Sequence, residues 1–287
     1  MNALRNKLNI FLFLIVTFFT PVLLNTLLNS NKKITIISII TIFISSISFV
    51  ILNKKKENSI TTTISPYGCL IFLFLITLIT QNVNLNYETL DWDIHSYIVV
   101  AMDIDRGNIP LENQWESKGP LLFYLYNFVL KIANYNFVYF KILNDFIIFL
   151  ISVFLFFSIY KKRKENLVIS FICSALFIVL MSQTWAQAEY SEIYSLVFIS
   201  CIYFIFFNYK ITTKNLLLVG LLLSCSTLIN QGTVLFVFGF ILLLTINKYF
   251  KPTKNNLIYF FAGLALPHIL FFTIYLSKNL FLVYKAT

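Results

Sequence analysis

Charge is scarce in this chain. Asp, Glu, Lys and Arg together make up 12% of its 287 residues, half of what a soluble domain carries, while 59% are hydrophobic and the mean hydropathy is +0.81. Such a composition excludes an ordinary soluble fold. Histidine is nearly absent too, with 2 residues, and the 4 cysteines (Cys69, Cys173, Cys201, Cys225) lie in apolar segments without CxxC spacing. Neither a zinc site nor a disulfide framework is indicated. Short alternating strands are lacking, so a closed barrel is excluded as well.

What is present is a series of apolar runs of the length that a hydrocarbon core of about 30 Å demands of a helix. They predict an all-α, polytopic membrane bundle of about nine spans, near 10–28, 34–52, 67–83, 137–160, 167–184, 193–208, 216–229, 233–247 and 257–276. No small-x-small cleavage site follows the first run, which favours an uncleaved span over a removed signal peptide. The net charge of +10 comes from short clusters between spans rather than from one basic face. Nucleic acid is therefore not the expected partner. If the spans alternate, Arg5/Lys7, Lys54–Lys56, Lys161–Lys164, Lys210/Lys214 and Lys248/Lys251/Lys254 all fall on one side, as the positive-inside bias requires of the cytoplasm. The expected location is the inner (plasma) membrane, multi-pass.

The acidic residues sit elsewhere. Glu88, Asp91, Asp93, Asp103, Asp105, Glu112 and Glu116, seven of the 12, fall in one polar stretch between spans, which this topology places on the outer face. Within it, Ile94, Tyr97, Ile98 and Ala101 recur at helical spacing, predicting an interfacial helix with its apolar face on the bilayer and Gly107 at its end. The segment 120–133 is too short to cross comfortably and is expected to be re-entrant or interfacial.

Two Asp-x-Asp pairs, Asp91/Asp93 and Asp103/Asp105, offer hard oxygen ligands, so a divalent cation is the one cofactor the pattern admits. The alternative reading makes Asp91 a helix cap and pairs Asp103 with Arg106. His95 has no partner at metal-ligand spacing, and no metal ligand is assigned. Lys141 and Asp145 are spaced to pair within a span, with Lys141 also a candidate to face a phosphate. His268 follows Pro267 and is expected to bond another helix near a kink. The turn AQAEYSE adds Glu189 and Glu192 as candidates, and the turn at Asn230/Gln231 is polar as well.

Asp93, Tyr97, Gly107 and Pro110, followed by Glu116, Lys118, Gly119 and Pro120 opening an apolar run, resemble the first outer loop of type-C (GT-C) membrane glycosyltransferases. The similarity is to the protein O-mannosyltransferase and aminoarabinose transferase group, whose loop reads Asp-Glu, Tyr, Gly, Pro, then Lys-Pro-Pro or Lys-Gly-Pro. It covers about 67–276, with AQAEYSEIYSLVF resembling a later outer turn. The resemblance implies an enzyme that moves a sugar, with inversion, from a polyprenyl-phosphate carrier to a glycan, lipid or protein acceptor at the outer face. It makes Asp93 the catalytic carboxylate and Lys118 the carrier-phosphate ligand. The family's paired Glu is Ile94 here, which leaves Asp91 as a second carboxylate. Arg106, Tyr97, Glu116, Glu189 and Glu192 complete the expected substrate-binding set. Residues 1–66 are then an extra N-terminal hairpin and cytoplasmic loop, and 67–287 the transferase module with its first outer loop at 84–119, lacking the family's C-terminal portion. Two other readings stand beside this one: a transporter or flippase for a lipid-linked sugar, and an inactive or accessory transferase.

Overall fold

The computed structural model describes residues 66–81, 91–114, 116–160, 167–182, 188–209, 212–246 and 253–280. The first two expected spans, the 54–56 and 161–164 lysine clusters, Glu88, Lys210, Lys248 and Lys251 lie outside the described residues. Among those described, the chain is all helix: α1 Pro66–Gln81, α2 Trp92–Asp103 with a 3-10 turn Ile104–Arg106, α3 Pro120–Ile132, α4 Phe137–Tyr160, α5 Leu167–Leu180, α6 Ser191–Asn208, α7 Thr213–Thr227, a 3-10 turn Gln231–Thr233, α8 Val234–Ile246 and α9 Lys254–Ser277.

Among the described residues, three helices are long and apolar enough to cross a membrane: Phe137–Tyr160, Ser191–Asn208 and Asn255–Ser277. The other apolar helices have 10–17 residues. At 1.5 Å per residue even 16 of them reach only about 24 Å, short of a hydrocarbon core. The surface agrees with a lipid solvent. On α9, Ile258, Phe261, Leu266, Ile269 and Leu270 are all exposed, a density of apolar surface that water does not tolerate.

Helix starts follow local chemistry. Thr212 and Thr253 cap α7 and α9 by accepting from Asn215 N and Asn256 N, both at 3.3 Å. Pro120 opens α3, where a missing N–H costs nothing.

Long-range contacts fix the helix directions. Gln81 Nε2 donates to Ile178 O at 3.4 Å, joining the last turns of α1 and α5, so those two run parallel. α4 and α6 also run parallel, with the Tyr194 hydroxyl donating to Asn144 near their starts and Phe154 against Phe204 further along. α7 opposes α6, since Ser226 near its end reaches Ser195 O at 3.4 Å. The closest pairing is α7 with α9, again parallel. Its backbones touch at reciprocal glycines: a Cβ on Gly220 would lie 2.2 Å from Phe260 O, and one on Gly263 2.3 Å from Leu217 O. Small residues of this kind let membrane helices approach closely. Thr227 Oγ1 and His268 Nε2 bond at 3.0 Å across the same pair, next to Pro267 inside α9, as the sequence predicts.

α3 does not run with these helices. Leu121 meets the end of α7, with its N–H on Leu228 O at 3.1 Å; Tyr124 packs on Phe271 of α9; Tyr126 reaches Glu189 O and Tyr194 at the start of α6, and Phe140 at the start of α4. One short helix thus crosses the ends of four others. α2 lies on it in parallel, because Tyr97 packs on Phe123 and Tyr126, Asn127 Nδ2 donates to Ala101 O at 2.9 Å, and Lys131 pairs with Asp105. The apolar stripe of α2 is where the periodicity puts it, but its partner differs from expectation. Ile94, Tyr97, Ile98 and Ala101 are buried against α3 and its neighbours, not laid on the bilayer. The aromatic surface of α3 supplies closer packing than disordered acyl chains do.

Candidate functional site

The site is built where α2 and α3 begin, at the end of the bundle reached by the start of α6 and the end of α7. Asp91 has extended backbone and caps α2, accepting from Asp93 N at 2.9 Å and Ile94 N at 3.4 Å. Its other oxygen accepts from the Tyr190 hydroxyl. Asp91 is therefore spent on structure, the role of about 1 kcal/mol that an N-cap carries. Asp93, two residues on, is exposed, and its carboxylate has no hydrogen-bond partner among the described residues.

Ser96, one turn into α2, donates to Asp93 O at 2.7 Å and lies 2.6 Å from Glu116 Oε2. Glu116 also accepts from Ser117 N at 2.7 Å. The next residues dock onto the end of α7: Gly119 N donates to Ile229 O at 3.1 Å, and Gln231 Nε2 to Ser117 O at 3.3 Å. Gly119 is required there, because a Cβ would fall 2.1 Å from Leu228 O. This docking carries Lys118 to the start of α6, where its Nζ sits 3.3 Å from Glu192 Oε1. Asn230 Nδ2 donates to the same oxygen at 2.7 Å, and Ser191 Oγ to Oε2 at 3.1 Å.

Beneath these groups lies Tyr97, fully buried, its hydroxyl beside Ser191 but without a hydrogen bond of normal geometry. Burial pushes its ionisation up, and the negative charges of Asp93, Glu192 and Glu116 add to that. The hydroxyl therefore stays protonated, a donor pointed at an acidic neighbourhood. Tyr190 is pushed up by burial and by its bond to Asp91 in the same way.

Comparisons with protein families, with curated proteins and with solved structures find no match for this chain. The site is accordingly read from its own chemistry.

Of the expected residues, the fold brings Asp91, Asp93, Tyr97, Glu116, Lys118 and Glu192 together. It does not bring Arg106, which sits past the far end of the 12-residue α2, 76% exposed and 3.5 Å from Asp103 Oδ1. A helix is a rigid rod of about 1.5 Å per residue, so Arg106 stands roughly 18 Å from the first turn of α2. Glu189 is also set apart. It is 4% exposed below α3, and burial pushes its carboxyl above the usual range despite Lys141 nearby. Lys141 is buried on α4, as is Asp145 one turn on. No three His, Cys, Asp or Glu side chains are grouped to hold a metal among the described residues.

Ser96, Tyr190 and Ser191 join the site without having been singled out from the sequence. Ser191 and Tyr190 belong to the AQAEYSE turn already marked by its acids, and Ser96 stands three residues after Asp93. Asn230 was visible only as a polar turn.

Proposed function

We propose that this chain is an inverting glycosyltransferase of the plasma membrane that uses a polyprenyl-phosphate-linked sugar as donor and an envelope glycan, lipid or protein as acceptor. The observation that carries the reading is the division of labour among four carboxylates. Asp91, Glu116 and Glu192 are held by hydrogen bonds, and of the four only the Asp93 carboxylate has no hydrogen-bond partner among the described residues. It lies two residues from the cap and one helical turn from Ser96, which holds the lysine-bearing loop through Glu116. Transfer from a phosphate carrier needs a base for the acceptor hydroxyl or amine and a cation for the departing phosphate, where charge builds in the transition state. Asp93 takes the proton and Lys118 receives the phosphate.

The described helices run in two opposed directions, α1, α5, α7 and α9 one way and α4 and α6 the other, which supports alternation across a membrane, with α4, α6 and α9 the three long enough to cross it by themselves. The crossing pair α2/α3 then lies along the outer face in a GT-C-like bundle of about nine spans. A phosphate at the headgroup level and an acceptor from the aqueous side both reach Asp93 in that arrangement. Purified protein in lipid, given labelled polyprenyl-phosphate sugars and envelope acceptors, is expected to transfer label, and Asp93→Asn to abolish transfer without loss of membrane insertion. Label transferred equally by Asp93→Asn would remove the assignment.

The ionisable groups buried near the start of α4 and α6, Lys141, Asp145 and Glu189, favour a second reading, translocation of the lipid-linked sugar, since intramembrane ionisable groups mark transport paths. Carrier movement across proteoliposomes without transferred product would select it.

A further inference from the structure

Lys118 Nζ, Asn230 Nδ2 and Ser191 Oγ converge on one acceptor group from three separate parts of the chain. They do so at the first turn of the 18-residue helix α6, whose dipole adds positive potential there. Together they form a cradle for an oxyanion. The group now in it is the carboxylate of Glu192, whose side chain is 58% exposed while that of Lys118 is only 21% exposed. The cation is thus fixed in the wall and the anion stands at the open side. Below lies the buried Tyr97 hydroxyl, a further donor without a hydrogen bond of normal geometry among the described residues. A carboxylate brings two oxygens to the cradle, and a phosphate brings a third.

We infer that Glu192 is a resident stand-in for substrate phosphate: its carboxylate fills the oxyanion cradle of Lys118, Asn230 and Ser191 when the site is empty and is displaced when a phosphate group enters. The consequence is a built-in competition. Glu192 keeps Lys118 positioned and its charge compensated between turnovers, and its repulsion helps to expel the phosphate left after transfer. Charge complementarity selects a phosphate oxyanion, and the source is either a lipid carrier or free phosphate. The inference rests on the assignment of Lys118 to phosphate, but not on transfer itself.

The test is binding of polyprenyl phosphate, in phosphatidylcholine nanodiscs, and of inorganic phosphate to wild type, Glu192→Gln and the double variant Glu192→Gln/Lys118→Met. Removing the resident charge is expected to tighten phosphate binding about tenfold, equivalent to about 1.4 kcal/mol, and the double variant to lose that gain. A gain confined to polyprenyl phosphate identifies the lipid carrier as the source; a gain with inorganic phosphate alone identifies soluble phosphate. Unchanged or weaker binding of both probes by Glu192→Gln overturns the inference, and Glu192→Ala repeats the test if the Gln variant does not fold. Tighter binding without any sugar transfer would retain the cradle and remove the transferase reading. Transfer with no gain in binding would do the reverse.

Discussion

Asp91-x-Asp93 opens α2 and Asp103-x-Asp105 closes it, and the fold spends the two pairs differently. At the closing end every carboxylate is engaged: Asp103 with Arg106 at 3.5 Å and Asn113 at 3.2 Å, Asp105 with Lys131 at 2.7 Å, Asn127 at 2.9 Å and the Tyr135 hydroxyl. That end is a latch, fastening α2 to α3 and to the turn before α4. At the opening end Asp91 is consumed by the cap and Asp93 is left over. The same three-residue pattern therefore marks a structural joint in one place and leaves an uncommitted carboxylate in the other. The surplus, rather than the pattern, is what points to chemistry.

Four substitutions probe this contrast. Asp93→Asn is expected to have the largest effect, a loss of transfer of about 10²- to 10⁴-fold, the range a general base contributes, with thermal unfolding in detergent unchanged. Gly119→Ala comes next. Its Cβ meets Leu228 O, so the loop must lift, misplacing Lys118 and destabilising the protein by about 1–3 kcal/mol; a stability like wild type would show that the loop is not docked as described. Asp91→Ala should cost about 1 kcal/mol through the lost cap, with a smaller fall in transfer than Asp93→Asn, and restoration of stability by Asp91→Ser would confirm the capping role.

Asp105→Asn is expected to be the mildest, about 1 kcal/mol or less as for an exposed ion pair, with transfer retained. Its signature is in pH. Partial burial works to raise Asp105, but hydrogen bonds from Lys131, Tyr135 and Asn127 and the charge of Lys131 outweigh it, holding the carboxyl down at about 2 against an ordinary 3.8. Because the folded value lies below the unfolded one, the latch contributes fully above the ordinary value. It is lost as pH falls through the window toward about 2. Wild type should lose stability across that window more steeply than Asp105→Asn, and identical acid profiles would show that the latch carries no weight.

The elements were legible because their signals are local. The Ile94/Tyr97/Ile98/Ala101 stripe, the Gly107 stop with its φ of 87°, Pro120 at the start of α3 and the Asp103–Arg106 pair all depend on residues a few positions apart. What covers the stripe of α2 was not legible, since bilayer and protein ask for the same apolar residues. The contacts that assemble the site span long separations: Lys118 meets Glu192 across 74 residues, and Tyr190 meets Asp91 across 99. No periodicity encodes such pairings. Arg106 illustrates the reverse error, close to Asp93 in sequence yet held away by the helix between them.

The most direct test of the account sets wild type, Asp93→Asn and Asp105→Asn side by side in one transfer assay, with protein in lipid, labelled polyprenyl-phosphate sugars and envelope acceptors. The account predicts product from wild type and Asp105→Asn and none from Asp93→Asn. Product from Asp93→Asn at the wild-type rate would contradict it.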